Sequence, residues 1–113
     1  MRYENLPAIS RDDAVKALET QDRDTVSRTL VQLALHEKDR PWLEAVLVRF
    51  MQNGDPWIRG VAATCAGHVA RIHRQLDQKT IRPLLEVLLN DPATARKARD
   101  ALDDIEIFIT QSE

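Results

Sequence analysis

Cys65 and His68 are the first residues whose types and spacing could do chemistry. They stand three positions apart on one predicted helix, so both could bind one metal ion, or the thiol could be a nucleophile with the imidazole as its base. A metal site needs three or four ligands, and the only other histidines, His36 and His73, form no second ligand pair. Cys65 also falls on the apolar face of its helix, where a thiol usually fills space. With no glycine-rich phosphate loop either, the sequence predicts no catalytic residue, no metal and no cofactor.

Acidic side chains are concentrated at the end of the chain, where residues 100–113 contain five of them and no basic one. Asp100 precedes Asp103 and Asp104 by three and four positions, so a helix would place all three close to one face. One interpretation is a solvated helix face. The other is an acidic patch that engages a basic partner, since complementary charge speeds and orients association.

The opposite bias appears between Pro56 and Arg82, where Asp77 is the only acidic residue. Five basic side chains lie in this stretch: Arg59, Arg71, Arg74, Lys79 and Arg82. Such a basic stripe could contact nucleic acid, but no aromatic residues alternate with it to stack on bases. The whole chain carries 16 basic and 18 acidic side chains, a net charge of −2, which disfavours a globally basic nucleic-acid binder.

Two tryptophans each follow a proline that opens a predicted helix, Trp42 after Pro41 and Trp57 after Pro56. A tryptophan in the first turn of a helix can belong to the core or can stand at the rim as an interface anchor. We expect Trp42 to be core, whereas both interpretations stay open for Trp57.

The elements that must position these residues are six helices joined by short connections. Apolar residues recur at helical spacing throughout, and no strand pattern competes. Ser10 is the expected cap of the first helix, which runs through Glu19. The next helices are predicted to start at Asp24, at Pro41, at Asp55-Pro56, near Thr80 and at Asp91-Pro92. Gly67, inside the fourth helix, predicts close packing or a bend there, because glycine destabilises a helix interior.

The Asp-Pro pair recurs after 36 residues, at Asp55 and Asp91, each time between a leucine-rich helix and an alanine-rich one. Small and apolar residues coincide at the same offsets after each aspartate, as stacked helical hairpins require. This pattern resembles HEAT repeats, especially the short kind of bilin-lyase-like proteins. Residues 81–92 look like the family's first helix and turn, and residues 55–63 like its second helix. The last repeat departs from the family pattern at Thr94-Ala95 and at Asp103.

The resemblance implies an all-α fold, a short α-solenoid of HEAT-like stacked hairpins, over one domain spanning residues 1–113. Residues 1–9 would be an N-terminal arm, residues 10–40 a degenerate capping repeat, and residues 41–74 and 78–109 two further repeats. As in the family, the second helix of each hairpin would line a concave binding surface. The predicted partner-binding residues are Trp57, Arg59, Asp100, Asp103 and Asp104.

The function that this combination favours is protein binding without catalysis. A stand-alone unit of this kind looks like a bacterial immunity protein that blocks a cognate toxin, and the acidic patch would suit a basic toxin domain. Alternatives are a general HEAT-type scaffold or lyase-like accessory subunit, and a weak nucleic-acid binder that uses the basic stripe. No signal peptide or spanning segment is visible and one cysteine cannot form an internal disulfide, so we expect a cytoplasmic protein. The sequence does not determine the oligomeric state.

Overall fold

A computed structural model describes residues 6–109 of the chain. This range contains six α-helices and no strand, which confirms the predicted all-α class. The helices are α1 (Arg11–Leu18), α2 (Arg23–His36), α3 (Arg40–Gln52), α4 (Pro56–His73), α5 (Gln78–Leu88) and α6 (Ala95–Phe108).

Aspartate side chains begin most of these helices. Asp22, Asp39, Asp55 and Asp77 each accept a hydrogen bond from the backbone N–H three residues later, and Ser10 does the same for α1. This satisfies one of the unpaired N–H groups of each first turn. The starts of α1 and α4 are as predicted, whereas α2 begins one residue before Asp24 and α3 one residue before Pro41.

The predicted start of the last helix at Asp91-Pro92 is wrong, because these two residues form a turn. The carbonyl of Asp91 accepts from the N–H groups of both Thr94 and Ala95, and α6 begins only at Ala95. Thr94 is fully buried, and its hydroxyl donates to the carbonyl of Leu88 over 2.7 Å. This bond ties the end of α5 to the start of α6, but it leaves α6 without a side-chain cap.

Helix α5 begins two residues before the predicted start near Thr80, and Pro83 lies inside it. Since α5 begins at Gln78, Pro83 is in the second turn rather than the first. It has no N–H to donate to the carbonyl of Lys79, so the helix loses one internal hydrogen bond there.

The six helices pack in two layers, with α2, α4 and α6 in one and α1, α3 and α5 in the other. Consecutive helices pair as α1 with α2, α3 with α4 and α5 with α6. Helix α4 occupies the centre and contacts α2, α3, α5 and α6, and its most extensive contact is with α6. This arrangement suits a stack of three hairpins, and the HEAT assignment itself stays a prediction.

The core between the layers is mainly aliphatic. Its largest fully buried side chains are Leu30, Leu33, Leu43, Leu47, Ile81, Leu85 and Ile105. Trp42 is only half-buried, not core as expected, and the guanidinium of Arg11 stacks 4.2 Å from its ring centroid. The core therefore rests on Leu, Ile, Val and Ala, in a chain of which only 4% of the residues are aromatic.

One charged side chain is buried between hairpins. Glu44 on α3 pairs with Arg40 over 2.5 Å, and its carboxylate also accepts from the N–H of Asp77, which caps α5. Glu44 thereby joins α3 to the start of α5, and nothing in its local sequence predicts this role.

Candidate protein-interaction surface

Helices α4 and α6 lie side by side and run in the same direction. The side chain of Lys97 on α6 lies against Gly60 on α4, and two turns later the side chain of Asp104 lies against Gly67. A β-carbon at Gly67 would also be 3.2 Å from the Cα of Ala101. The predicted close packing at Gly67 is confirmed. The exposed face of α4 and the exposed face of α6 are neighbours because the two helices meet there.

At the N-terminal end of this face, Trp57 is exposed and Lys97 stacks on it. Trp57 is 48% exposed, and the Nζ of Lys97 lies 4.2 Å from its ring centroid. A β-carbon at Gly60 would be 2.9 Å from the Cδ of Lys97, so glycine leaves the space in which the lysine stem crosses α4. Of the two interpretations left open for Trp57, the structure places the side chain at the surface.

At the other end, three aspartates of α6 come together as predicted. Asp100 and Asp103 are exposed, and Asp104 is half-buried against Gly67. Burial raises the pKa of Asp104, Arg71 lowers it, and the neighbouring charges of Asp100 and Asp103 raise it further, so the net shift is upward. The three aspartates therefore form one acidic group on α6, and the ionised form of its inner member, Asp104, is disfavoured.

Arg71 and His68 on α4 border this acidic patch. The Nη2 of Arg71 lies 2.8 Å from the Nδ1 of His68, and the charge of Arg71 also acts on Asp104. Burial, followed by the charge of Arg71, lowers the pKa of His68, which favours a neutral imidazole that can accept from the guanidinium. Arg71 thus belongs to the surroundings of the acidic patch.

The rest of the predicted basic stripe is dispersed. Arg82 pairs with Glu106 over 2.6 Å between α5 and α6, and the guanidinium of Arg74 lies 5.3 Å from the ring centroid of Phe108. Arg59 is partly buried, and its Nε has no hydrogen-bond partner in the described structure. It follows Trp57 by two residues, about 200° around the helix, so it does not share the face of Trp57. The structure therefore unites Trp57 with α6, whereas helical geometry directs Arg59 away from the face of Trp57.

Comparison with known proteins gives a relative over nearly the full length of the chain. No protein-family model and no curated protein matches it. A chain in the crystal structure of a CDI complex from Cupriavidus taiwanensis LMG 19424 is 32% identical in sequence and superposes with a TM-score of 0.84. The alignment covers 98% of both chains. The chain belongs to the family of this CDI-complex protein.

In this CDI-complex family member, Cys65 is a packing residue. Its side chain is fully buried, and desolvation raises the pKa of its thiol to about 12, so the reactive thiolate does not form at neutral pH. Among residues 6–109, no three His, Cys, Asp or Glu side chains are grouped as a metal site. Within the same range no helix is long and apolar enough to cross a membrane.

The charges along α6 run against the helix dipole of this family member. Its first turn holds Arg96 and Lys97 and no acidic residue, whereas its last turn holds Glu106 and no basic residue. A helix favours the reverse order, with acids at its N-terminus and bases at its C-terminus. The like charges of Asp100 and Asp104, four residues apart, add repulsion. The surface of α6 is thus not optimised for the stability of the free protein.

Sequence reasoning missed Lys97, Arg71 and the exposed Ile107 as members of this surface. The reversal of charge along α6 is visible in the sequence and could have drawn attention to Lys97. The contact between Lys97 and Trp57 has no local signal, because the two residues are forty positions apart.

Proposed function

We propose that this protein is the immunity protein of a contact-dependent inhibition (CDI) system and that it binds and blocks a cognate toxin domain. The observation that carries the proposal is the similarity to a chain of a CDI complex across 98% of both chains. At a TM-score of 0.84 the likeness includes the arrangement of all the helices and not only one hairpin. The inhibitor would act in the cytoplasm, where it would meet a toxin that has entered the cell.

The chemistry of the chain supports an inhibitor that works by binding. Its one thiol is buried and protonated, and Asp100 and Asp103 stand on an open helix face. Carboxylates on an open helix face are hydrated and accessible to a partner, which suits recognition of a charged surface. We therefore propose that the protein is not an enzyme.

The face shared by α4 and α6 is the surface that we assign to toxin binding. It combines the exposed Trp57, of a residue type that often anchors interfaces, with the patch of Asp100, Asp103 and Asp104. The patch would attract basic residues of the toxin. Arg59 is left out of this surface because its partly buried side chain extends from another side of α4.

The test is binding and growth rescue with the toxin domain of the protein's own CDI system. We expect a stoichiometric complex by calorimetry and growth of toxin-expressing cells only when this protein is co-expressed. The variant with Asp100, Asp103 and Asp104 all changed to Asn should bind at least about tenfold more weakly, a loss of about 1.4 kcal/mol, mainly through slower association at low salt.

Glu86→Gln is the matched control, because Glu86 is an exposed carboxylate on α5 in the other layer. It should leave toxin binding unchanged. Failure of the wild-type protein to bind the toxin, together with recovery of several unrelated partners from cells, would instead favour a general scaffold. Nucleic-acid binding gains no support, since the basic stripe is dispersed and Arg82 is paired.

A further inference from the structure

The exposed face of α6 changes sign along its length. Its first half carries Arg96, Lys97 and Arg99, and its second half Asp100, Asp103, Asp104 and Glu106. Glu106 is turned toward α5, where it pairs with Arg82, and the remaining acids border α4 or solvent. The surface next to Trp57 is therefore basic, and the surface next to Gly67 and Arg71 is acidic.

The positive end is held in place but not neutralised. The ammonium of Lys97 rests on the ring of Trp57, and no carboxylate within residues 6–109 lies within ion-pair distance of it. Its stem is confined by the contact with Gly60. A lysine positioned in this way loses little conformational freedom when a partner carboxylate binds it, which favours specific recognition.

The negative charge at the other end of α6, on Asp100, Asp103 and Asp104, is likewise only partly neutralised. Among the described residues, Arg71 lowers the pKa of Asp104 by its positive charge, and the like charges of Asp100 and Asp103 oppose it. The nearby Ile107 is 49% exposed, three positions after Asp104 on the same helix. This end offers two exposed carboxylates and an apolar side chain to a partner.

We propose that the partner carries charges of both signs, an acidic group that meets Lys97 beside Trp57 and a basic group that meets Asp100 and Asp104. Lys97 and Asp104 are seven residues apart, so the two partner groups would be separated by about 10 Å along the axis of α6. The inference rests on the proposed function and adds to it the orientation of the bound toxin. A uniformly basic toxin surface would place a like charge against Lys97, which opposes binding.

Two charge reversals test the two ends separately, with calorimetric titration of the toxin domain as the measurement. Lys97→Glu and Asp100→Lys should each weaken binding at least about tenfold, because each would put like charges together. Lys97→Met keeps the stem beside Gly60 and removes only the charge, and we expect a smaller loss of affinity in the same direction. Circular dichroism and thermal melting establish that each variant is folded.

Lys79→Glu is the control for the reversed lysine, since Lys79 is exposed on α5 in the other layer and has no described carboxylate partner. It should leave affinity unchanged apart from a slight change in long-range attraction.

Binding that is unchanged or tighter in Lys97→Glu and weaker in Asp100→Lys would overturn the proposed surface of two signs in favour of a uniformly basic partner. The proposed immunity function would remain. If both reversals bind like the wild type, the toxin does not dock on α6 and the inference fails. Only absence of toxin binding by the wild type would remove the proposed function itself.

Discussion

The carboxylate of Asp104 occupies the space that a side chain at position 67 would need. Its Oδ2 lies 2.6 Å from the place where a β-carbon on Gly67 would stand. A real β-carbon does not tolerate an atom at that distance, so the Asp104 side chain would have to move, and the Cα of Ala101, 3.2 Å from the same place, would have to yield by a few tenths of an ångström. This one contact joins the packing of the two central helices to the acidic patch.

Gly67→Ala should therefore destabilise the protein, although alanine is the better helix former. The new methyl group would press on Asp104 and on the backbone of Ala101, and such overpacking typically costs about 1–3 kcal/mol. Because part of the crowding is against the backbone of Ala101, we expect the cost to exceed the gain of about 1 kcal/mol in helix propensity. Urea unfolding measures the difference.

Gly60→Ala is the matched comparison, because the three atoms nearest to its β-carbon would all belong to the flexible side chain of Lys97. The lysine can move aside, so stability should stay the same or rise by up to about 1 kcal/mol. Toxin binding should weaken if the position of Lys97 on Trp57 matters. Equal unfolding free energies for the two alanine variants would contradict the packing argument.

Asp104→Asn should raise the stability of the free protein at neutral pH while it weakens toxin binding. Burial raises the pKa of Asp104, so its ionised form is disfavoured in the folded state. Removing the repulsion from Asp100 alone is worth about 0.2–0.5 kcal/mol, which corresponds to a rise in Tm of about 1–3 °C.

The sign of the pH dependence gives a second check on Asp104. Because its folded-state pKa is raised, its ionisation destabilises the fold above that pKa, and the effect is relieved as the pH falls through it. The advantage of Asp104→Asn should therefore shrink on acidification. Glu106→Gln is the control, and it should not stabilise, since Glu106 is paired with Arg82. A lower Tm for Asp104→Asn at pH 7 would show that attraction to Arg71 outweighs burial.

The aspartate caps should make the fold sensitive to acid. Hydrogen bonds lower the pKa of three of them, chiefly from Thr25 to Asp22, from Arg11 to Asp39 and from the Ile58 N–H to Asp55. A lowered folded-state pKa stabilises the fold above the ordinary aspartate value, about 4, and this contribution is lost as the pH falls through the folded value. Thermal melting should show Tm decreasing below about pH 4.

Asp55 offers the clearest variants for this test. Asp55→Ala should destabilise by about 1 kcal/mol at pH 7 through loss of the cap. Asp55→Asn keeps an oxygen acceptor for the Ile58 N–H, loses the ion pair with Arg23, and no longer titrates. The Tm of this variant should fall less with decreasing pH than the Tm of the wild type. An identical dependence of Tm on pH would show that Asp55 does not contribute to the acid sensitivity.

Cys65 should resist alkylation in the folded protein. Its thiol is buried with a pKa of about 12, so iodoacetamide at pH 8 should modify it only after addition of denaturant. A Val87→Cys substitution in a Cys65→Ala background provides an exposed thiol for comparison, since Val87 is 64% exposed. Mass spectrometry of both proteins measures the rates, and rapid labelling of native Cys65 would show that α4 opens readily.

Local patterns predicted the helices well because their causes lie within a few residues of each other. Asp55 and Pro56 begin α4 as predicted, since a cap and a first-turn proline act on their own turn. The same dipeptide at Asp91 gave a wrong start for α6. The buried hydroxyl of Thr94 donates to the carbonyl of Leu88, and the chain makes a turn before α6 begins. A bond formed in the folded core thus displaced the start of α6.

The sequence by itself determined the all-α class, the acidic face of α6 and the glycine at which two helices meet, because helical periodicity and residue size are local properties. Only the tertiary structure decided which residues share a surface. It placed Lys97 on Trp57, forty positions away, and assigned Arg71 to the acidic patch. The physical reason is that contacts between two helices depend on how the whole chain packs, whereas the divergence of Arg59 from Trp57 on one helix already follows from a turn of about 100° per residue.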